Sequence, residues 1–201
     1  MIKQEIEGNL TILTLDRPDK ANALTAEMLA ELRDAVCAAS GQNALILTGA
    51  GKVFSAGADL DAAKTGLATS PLWEELSTAI AEFKGLSIAA LNGTVAGGAF
   101  GMVLACDLRI AVPTAKFFYP VMKLGFLPQP SDPPRLGSLV GPAAAKRILM
   151  AGEKIAAEEA LRIGLIDRII DDADVASAAR ASASDALQAN HRHVAAIKAM
   201  I

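Results

Sequence analysis

The segment of residues 88–107 constrains the fold of this chain more than any other part of it. A short apolar run at 88–91 leads into an Asn-Gly turn, the glycine pair Gly97 and Gly98, and the apolar, small-residue segment 99–106. This order predicts a buried strand, a glycine loop and a buried helix. The first N–H groups of a helix lack partners within the helix, and glycines let a ligand approach them closely. The segment therefore predicts a site for an oxygen atom that bears negative charge.

The same plan occurs elsewhere in the chain. An apolar strand is predicted at 44–48, and it is followed by the Gly49-Ala50-Gly51 turn and by a second glycine-containing loop at 54–59. A helix at 72–83 then leads into the strand at 88–91. Repetition of strand, turn, glycine loop and helix predicts stacked β–β–α units with right-handed crossovers. The fold class is α/β.

Further elements are predicted on either side of these repeats. Two strands at 2–6 and 10–15 form a hairpin, and Thr25 caps an amphipathic helix that continues to about residue 39. The later elements are a strand at 108–111, an extended segment at 116–119, a proline-rich loop at 124–134, helices at 141–151 and 156–163, a strand at 167–170 and a helix at 173–200. No linker divides the chain, so we predict a single domain over 1–201, with the repeats in 1–140 and a mainly helical part in 141–201. The last helix either covers the core or contacts another subunit.

Composition excludes several classes of function. The chain has 201 residues, a formal net charge of −3 and no cluster of Lys and Arg, which argues against nucleic acid or an anionic membrane as the main partner. No signal peptide is evident, and no apolar run reaches the ~18 residues that span a bilayer. Cys37 and Cys106 lack CxxC spacing, so we expect free, buried thiols and no metal site. A cytoplasmic protein is predicted.

The two glycine loops are the main clue to chemistry that comes from the residues alone. If each loop presents a free N–H, two donors can converge on one thioester carbonyl and stabilise the enolate oxygen that forms when the adjacent carbon loses a proton. The alternative is that Gly57, Gly97 and Gly98 only permit tight turns or close packing of helices, and the glycines by themselves favour it.

Several motifs resemble those of the crotonase superfamily, also called enoyl-CoA hydratase/isomerase. They are Phe-Ser-Ala-Gly-Ala-Asp-Leu at 54–60, Asn-Gly-Thr-Val-Ala-Gly-Gly-Ala at 92–99, Cys-Asp-Leu at 106–108, Leu-Asp-Arg-Pro at 15–18, Asn-Ala-Leu at 22–24 and Ala-Leu-Arg-Ile-Gly-Leu-Ile at 160–166. They keep the family's order and approximate spacing over nearly the whole chain. The resemblance implies a crotonase-like spiral of β–β–α units, an acyl-CoA ligand with no cofactor beyond CoA itself, and a homotrimer or dimer of trimers.

The resemblance also assigns site residues. It makes the backbone N–H groups of Ala58 and Gly98 the oxyanion-hole donors. Segments 17–24 and 56–60 match those that line the path of the coenzyme, and the candidate contacts are Lys20, Ala21, Ala23, Leu24, Ala56, Asp59, Leu60 and Lys64. Lys20 and Lys64 are either phosphate contacts or solvated surface lysines. Asp59 and Asp107 are expected to cap or brace the loops.

The sequence departs from the family at the positions that carry hydration. Hydratases that it resembles place one Glu three residues after the oxyanion glycine of the second loop and another after a Pro. Here these positions hold Gly101 and Val121, the latter after Pro120. Neither can exchange a proton, so hydration by two carboxylates is not expected, and neither is an isomerase that uses the second Glu alone. Family members also continue for a few dozen residues beyond the equivalent of residue 201. Either a neighbouring subunit closes the pocket, or the pocket is more open and the substrate larger.

Few titratable groups remain near the expected pocket. Asp132 is either a base with a raised pKa or, as the following Pro133 and Pro134 favour, the N-cap of a helix. Tyr119 is either a proton donor or a packing residue with a satisfied hydroxyl. Lys123 is a further candidate at the pocket edge, or it is solvated.

These observations predict a protein that binds an acyl-CoA thioester and stabilises an enolate. Isomerisation, decarboxylation and thioester hydrolysis all pass through that intermediate, so an enzyme of acyl-CoA and lipid metabolism is the leading hypothesis. The alternatives are a non-catalytic acyl-CoA-binding or assembly protein with this fold and a structural subunit of a larger complex.

Overall fold

The computed structural model describes residues 1–170 and 174–201. The strands are β1 (Ile2–Glu7), β2 (Leu10–Leu15), β3 (Ala44–Gly49), β4 (Val53–Ser55), β5 (Leu86–Leu91), β6 (Thr94–Ala96), β7 (Leu108–Ala111), β8 (Lys116–Phe118), β9 (Ile155–Ala156) and β10 (Arg168–Ile169). The α-helices are α1 (Ala26–Ala38), α2 (Leu60–Lys64), α3 (Leu72–Glu82), α4 (Ala99–Ala105), α5 (Val121–Leu124), α6 (Asp132–Leu149), α7 (Ala157–Arg162), α8 (Val175–Ser182), α9 (Ser184–Gln188) and α10 (His191–Lys198).

The strands form two sheets that the repeats build together. One sheet has the order β1-β2-β3-β5-β7-β10 and the other β4-β6-β8-β9. The predicted hairpin β1–β2 is antiparallel, and β2, β3, β5, β7 and β10 pair in parallel. Each successive pair, β3–β4, β5–β6 and β7–β8, contributes one strand to each sheet. This arrangement confirms the expected α/β fold of repeated β–β–α units.

Burial on both faces explains why the central strands are continuous apolar runs. In β5, Ala89 and Leu91 belong to the main core, whereas Ile88 and Ala90 belong to a second core on the opposite face of the six-stranded sheet. Helix α8 covers that second face. A parallel strand with both faces covered has no polar side, so it lacks the alternation of a half-exposed strand.

Close packing between successive repeats requires glycine at the turns. A methyl group added to Gly93, in the turn between β5 and β6, would lie 2.0 Å from the carbonyl oxygen of Lys52 in the turn between β3 and β4. Side chains do not tolerate such a distance. Gly93 therefore allows the two turns to stack.

The helices match the predictions early in the chain and differ later. Thr25 caps α1 as expected, because its hydroxyl accepts from the N–H of Met28 at 3.3 Å. The helix predicted at 141–151 is instead the second half of α6, which begins at Asp132 and bends at Gly141, where φ is 76°. The predicted loop at 124–134 is correspondingly shorter.

The predicted terminal helix at 173–200 is wrong as a continuous element. Residue 173 lies outside the described part, and the remainder forms α8, α9 and α10. The breaks fall at Ala183 and at Ala189 with Asn190, whose side chain caps α10 by accepting from the N–H of Arg192 at 2.9 Å. The alanine-rich sequence gives no local signal for the break at Ala183, whereas Asn190 is a capping residue at the second break.

The thiols also differ from expectation. Cys106 is buried, and burial raises the pKa of its thiol to about 12, whereas Cys37 is exposed on α1. The prediction that both thiols are buried is thus wrong for Cys37. Among the residues that the structure describes, no helix combines the length and apolarity needed to cross a bilayer.

Candidate active site

The two predicted glycine loops lie side by side because the strands that precede them are paired. Strands β4 and β6 are parallel neighbours, with Ser55 opposite Val95. Gly57 has a φ of 91° and Gly97 a φ of 56°, and both values favour glycine. A methyl group on Gly57 would lie 2.7 Å from the carbonyl oxygen of Ala96. The loops therefore touch backbone to backbone, which confirms the tight-packing interpretation of these glycines without excluding a role in binding.

The backbone N–H groups of Ala58 and Gly98 are both free of partners in the described part of the chain. Leu24 fixes the first loop, since its N–H donates to the carbonyl of Gly57 and its carbonyl accepts from the N–H of Asp59, both at 2.8 Å. The N–H of Ala58, between these two bonds, has no acceptor within residues 1–170 and 174–201, and neither has that of Gly98. Both residues are half-buried. Two unused donors thus stand on adjoining loops.

Ala58 and Gly98 both line a cavity of about 320 Å³. Its walls are mostly apolar and come from both loops, from α2 and α3, and from the segment that connects β8 to α6. The residues are Ala56, Ala58, Leu60, Ala63, Ala68, Trp73, Ala96, Gly97, Gly98, Phe118, Tyr119, Pro120, Val121, Leu124, Phe126, Leu127 and Gln129. No Asp, Glu, Lys, Arg or His of the described chain is among them. An apolar pocket with a few polar groups at one end suits an acyl group.

A larger cavity of about 830 Å³ lies elsewhere. Helices α9 and α10 enclose it against the starts of β5 and β7, and Asp107, His193 and Lys198 are among its lining residues. The Asp107 carboxylate accepts hydrogen bonds from the side chains of Ser87 at 2.9 Å and Lys198 at 2.7 Å. That bonding confirms the expected bracing role. The larger cavity contains neither glycine loop, so the smaller one is the candidate active site.

Trp73 forms one wall of the candidate active site. Its indole N–H donates to the carbonyl of Leu67 at 2.7 Å, which fixes the ring. A methyl group on Gly98 would lie 3.0 Å from the ring atom Cε3. The ring therefore packs directly on the second loop, and the glycine at position 98 leaves room for it.

Tyr119, in the cavity wall, and Asp132 form a buried hydrogen-bonded pair. The Tyr119 hydroxyl donates to Oδ2 of Asp132 at 2.8 Å, and both side chains are buried. Burial raises the pKa of Asp132 to about 6, although the Tyr119 hydroxyl and the nearby Arg135 favour the ionised form. Burial, with the Asp132 charge, raises the pKa of Tyr119 well above its usual value. Tyr119 lines the cavity, and Asp132 stands behind it.

The capping role expected for Asp132 is wrong. The N-cap of α6 is Ser131, and no side chain bonds to the first N–H groups of this helix. The carboxyl group of Asp132 turns inward to Tyr119 instead. Of the two positions that depart from the family pattern, Val121 lines the cavity and Gly101 lies in α4 beside Asp132, where an added methyl group would stand 2.9 Å from Oδ1.

The segment predicted to contact the coenzyme packs against the first loop. The Arg17 guanidinium donates to Oδ2 of Asp59 at 2.7 Å and to the carbonyl of Ala23 at 3.0 Å. Arg17 holds the pKa of Asp59 below its usual range, and Asp59 also caps α2, as expected, by accepting from the N–H groups of Asp61 and Ala62. The ion pair therefore joins segments 17–24 and 56–60 into one surface.

The candidate coenzyme contacts occupy different places on this surface. Ala56 and Leu60 line the cavity, whereas Lys20 and Ala21 do not; Lys20 is exposed and Ala21 is half-buried. Ala21 and Asn22 both have φ values near 50°, and the Asn22 amide fixes them by donating to two carbonyls of the 50–53 turn. The Leu24 side chain is buried. Lys64 is exposed and pairs with Asp61 at 3.0 Å, and Lys123 is exposed at the end of α5.

Sequence reasoning missed four parts of the site. The ring of Trp73, the side chains of Phe118 and Gln129, and the Arg17–Asp59 pair were not expected there. The single tryptophan of the chain, on a helix that precedes the second loop, was the one available signal. No cluster of three metal-binding side chains occurs in the described ranges.

Comparison with known proteins agrees with this geometry. The Enoyl-CoA hydratase/isomerase family model matches residues 5–201. The crotonyl-CoA hydratase of Syntrophomonas wolfei is 38% identical over 175 residues, which cover 83% of this chain and 67% of the relative. The short-chain-enoyl-CoA hydratase of Clostridium acetobutylicum is 34% identical over 185 residues, which cover 88% of this chain and 71% of the relative. The structure of DspI from Pseudomonas aeruginosa has a TM-score of 0.90 and 34% identity, and the match covers 98% of this chain and 84% of DspI. The chain belongs to the enoyl-CoA hydratase/isomerase family and has the crotonase fold.

Proposed function

We propose that this protein binds an acyl-CoA thioester and stabilises its enolate with the backbone N–H groups of Ala58 and Gly98. The observation that carries the proposal is the pair of N–H groups on adjoining loops that have no acceptor in the described part of the chain and whose residues line an apolar cavity of about 320 Å³. Preorganised donors at a developing oxyanion are among the largest contributions to catalysis. The acyl group then occupies the cavity, and the coenzyme lies along segments 17–24 and 56–60.

The reaction that this site supports best moves a single proton. Removal of a proton from the carbon next to the thioester places negative charge on the carbonyl oxygen, where the two N–H groups hold it. In the cavity wall, Tyr119 is the side chain that can exchange a proton, with Asp132 behind it. Isomerisation of a double bond needs only a proton removed from one carbon and returned to another. Tyr119 and Asp132 can do both, so no further acid is required.

Hydration is the activity that the names of the two relatives state, and it makes a stronger demand on the site. Addition of water requires one group to activate the water and one to deliver a proton. In this chain, Gly101 and Val121 supply neither. We therefore infer that hydration is not the main reaction, and we include decarboxylation and thioester hydrolysis as the other reactions that can use the same oxyanion.

A panel of thioesters tests the proposal. Calorimetry with CoA, butyryl-CoA, octanoyl-CoA and trans-3-hexenoyl-CoA is expected to show tighter binding of the acylated forms. Conversion of trans-3-hexenoyl-CoA to the 2-enoyl isomer is followed by absorbance, and hydration of crotonyl-CoA is measured in parallel. Failure to bind any acyl-CoA would overturn the proposal. Hydration of crotonyl-CoA faster than isomerisation would overturn the single-proton reaction and leave the binding role standing.

A second candidate is a non-catalytic acyl-CoA-binding protein. It is favoured by the absence of any carboxylate from the cavity walls in the described part of the chain. Tight binding without turnover across the panel would support this candidate. Turnover that Tyr119→Phe abolishes while acyl-CoA affinity is retained would exclude it.

We further propose that the protein forms a trimer or a dimer of trimers. The family supports this proposal, and light scattering on the purified chain, with and without acyl-CoA, tests it. A monomer under both conditions would overturn it.

A further inference from the structure

Only one of the two carboxyl oxygens of Asp132 accepts a hydrogen bond from the described residues. Oδ2 accepts the Tyr119 hydroxyl, but Oδ1 is buried and has no hydrogen-bond partner among the described residues. Buried polar atoms are nearly always paired, because leaving one unpaired is costly. A buried carboxylate with one oxygen unpaired is poorly stabilised, so this group, hydrogen-bonded to a residue of the cavity wall, is suited to take up a proton.

Gly101 makes the space for this carboxyl group. It lies three residues after Gly98 in α4, and residues with this spacing share a helix face. A methyl group on Gly101 would stand 2.9 Å from Oδ1 of Asp132. Gly101 has no positive φ that would require glycine, and glycine within a helix is unfavourable. The close approach of Asp132, which comes from α6, is the reason for a glycine here.

Asp132 thus contacts α4 at Gly101, and its link to the cavity is the hydrogen bond from Tyr119. The charged groups near it are Glu74 on α3 and Arg135 on α6. Arg135 donates to the hydroxyl of Ser77 at 2.9 Å, and Glu74 accepts from the N–H of Ser131 at 3.2 Å. Neither side chain hydrogen-bonds the carboxyl group, so Tyr119 is its direct route to the cavity.

We propose that Asp132 is the positioning residue of a two-group proton relay, which takes a proton from the thioester's neighbouring carbon through Tyr119 and returns it. In the forward step the C–H bond breaks, its proton bonds to the Tyr119 oxygen, and the Tyr119 proton passes to the Asp132 carboxylate. The C–H electron pair becomes the enolate, which Ala58 and Gly98 hold. The negative charge has moved from carboxylate to enolate, and return of the proton to the same or another carbon restores Asp132.

This inference rests on the proposed function and deepens it, because it assigns the group that stores the proton. It distinguishes Tyr119, which touches the substrate, from Asp132, which acts through it. It also explains how a site with Gly101 and Val121 in its walls can exchange a proton.

Exchange of the proton next to the thioester in D₂O measures the relay without assuming a reaction. Butyryl-CoA is the probe, mass spectrometry follows deuterium uptake, and calorimetry gives its affinity for each variant. In the wild type the rate is expected to rise with pH and level off above about 6, since ionised Asp132 accepts the proton. Asp132→Asn and Tyr119→Phe are expected to lower the rate ~100-fold or more with similar affinity, which is the usual size of a general acid–base contribution. Asp132→Asn should also remove the rise with pH.

Two glycines of the same molecule supply a matched test. Gly101→Ala places a methyl group against Oδ1, and Gly137→Ala in α6 meets nothing within 4 Å. Because the atom that must move is the end of a side chain, Gly101→Ala is expected to fold and to displace the carboxyl group. Exchange should fall in Gly101→Ala and remain at the wild-type rate in Gly137→Ala.

Three results would overturn the relay. They are an Asp132→Asn variant that keeps the wild-type rate and pH profile, a Gly101→Ala variant that equals Gly137→Ala, and a wild type that binds butyryl-CoA without exchange. The last result would leave the binding part of the proposed function intact. A wild type that binds no acyl-CoA would instead refute the proposed function, and the relay with it.

Discussion

Replacing Asp132 by asparagine should change how the stability of the fold depends on pH. The pKa of Asp132 is about 6 in the folded protein, against 3.8 for an exposed aspartate. The folded state therefore holds a proton on Asp132 at pH values where the unfolded chain has lost it, so the contribution of Asp132 to stability falls as pH rises from about 4 to 6 and is constant above. At 1.36 kcal/mol for each pKa unit, the loss is about 3 kcal/mol. That is a large fraction of a total stability of about 5–15 kcal/mol.

Asparagine keeps the shape and the acceptor for Tyr119 but carries no charge. Between pH 4 and pH 7.5, Asp132→Asn should therefore gain about 2–3 kcal/mol relative to wild type, whatever constant offset its new amide group introduces. Urea unfolding of both proteins across this range measures the gap. The same substitution at the exposed Asp61 is the control for removing a surface carboxyl group. A gap between Asp132→Asn and wild type that stays constant within about 1 kcal/mol would refute the argument that burial raises this pKa.

Three further predictions concern Gly57 in the first loop, Trp73 in the cavity wall and the contact of Asn43 with α9. Gly57→Ala should lower the free energy of unfolding by about 1–3 kcal/mol more than Gly66→Ala does. Both glycines have positive φ, but only a methyl group at Gly57 would meet a backbone atom, the carbonyl oxygen of Ala96. Equal midpoints of urea unfolding for the two variants would contradict this prediction. Trp73 is the only tryptophan and lines the cavity, so butyryl-CoA should change its fluorescence more than CoA does; unchanged emission at saturation would place the acyl group elsewhere. Asn43→Ala should lower the free energy of unfolding, measured with urea, by about 1–3 kcal/mol, because the Asn43 amide donates to two backbone carbonyls at α9. A change below about 0.5 kcal/mol would count against these hydrogen bonds.

The strands and glycine loops could be predicted because their causes are local. A parallel strand buried on both faces is a continuous apolar run, and β5 shows this in four consecutive residues. Gly57 and Gly97 mark loops since their backbone angles favour glycine. The terminal helices could not be placed, because the break at Ala183 lies within alanine-rich sequence and is set by packing of α8 on the sheet.

The chemistry of the site was harder to predict because its contacts join distant segments. The local sequence favours a capping role for Asp132, since two prolines follow it. Nothing in that segment indicates that its carboxyl group accepts a hydrogen bond from the Tyr119 hydroxyl. From the sequence, Gly101 is interpreted only as the absence of the glutamate that hydratases of the family carry at this position. Its neighbour in space is Asp132, and only the fold brings α4 and the start of α6 together.

Gly101 and Asp132 should therefore behave as one structural feature in a double-mutant cycle. In the wild type, Gly101→Ala is expected to destabilise, because the added methyl group lies 2.9 Å from Oδ1. In an Asp132→Ala background that oxygen is absent, and the same substitution should stabilise by about 0.5–1 kcal/mol through the helix propensity of alanine. The sign of the effect thus reverses, and the coupling between the two positions should fall within the ~0.5–3 kcal/mol found for residues in contact. Urea unfolding of the four proteins measures it. An equal effect of Gly101→Ala in both backgrounds would mean that the glycine serves the α4 backbone and not the carboxyl group.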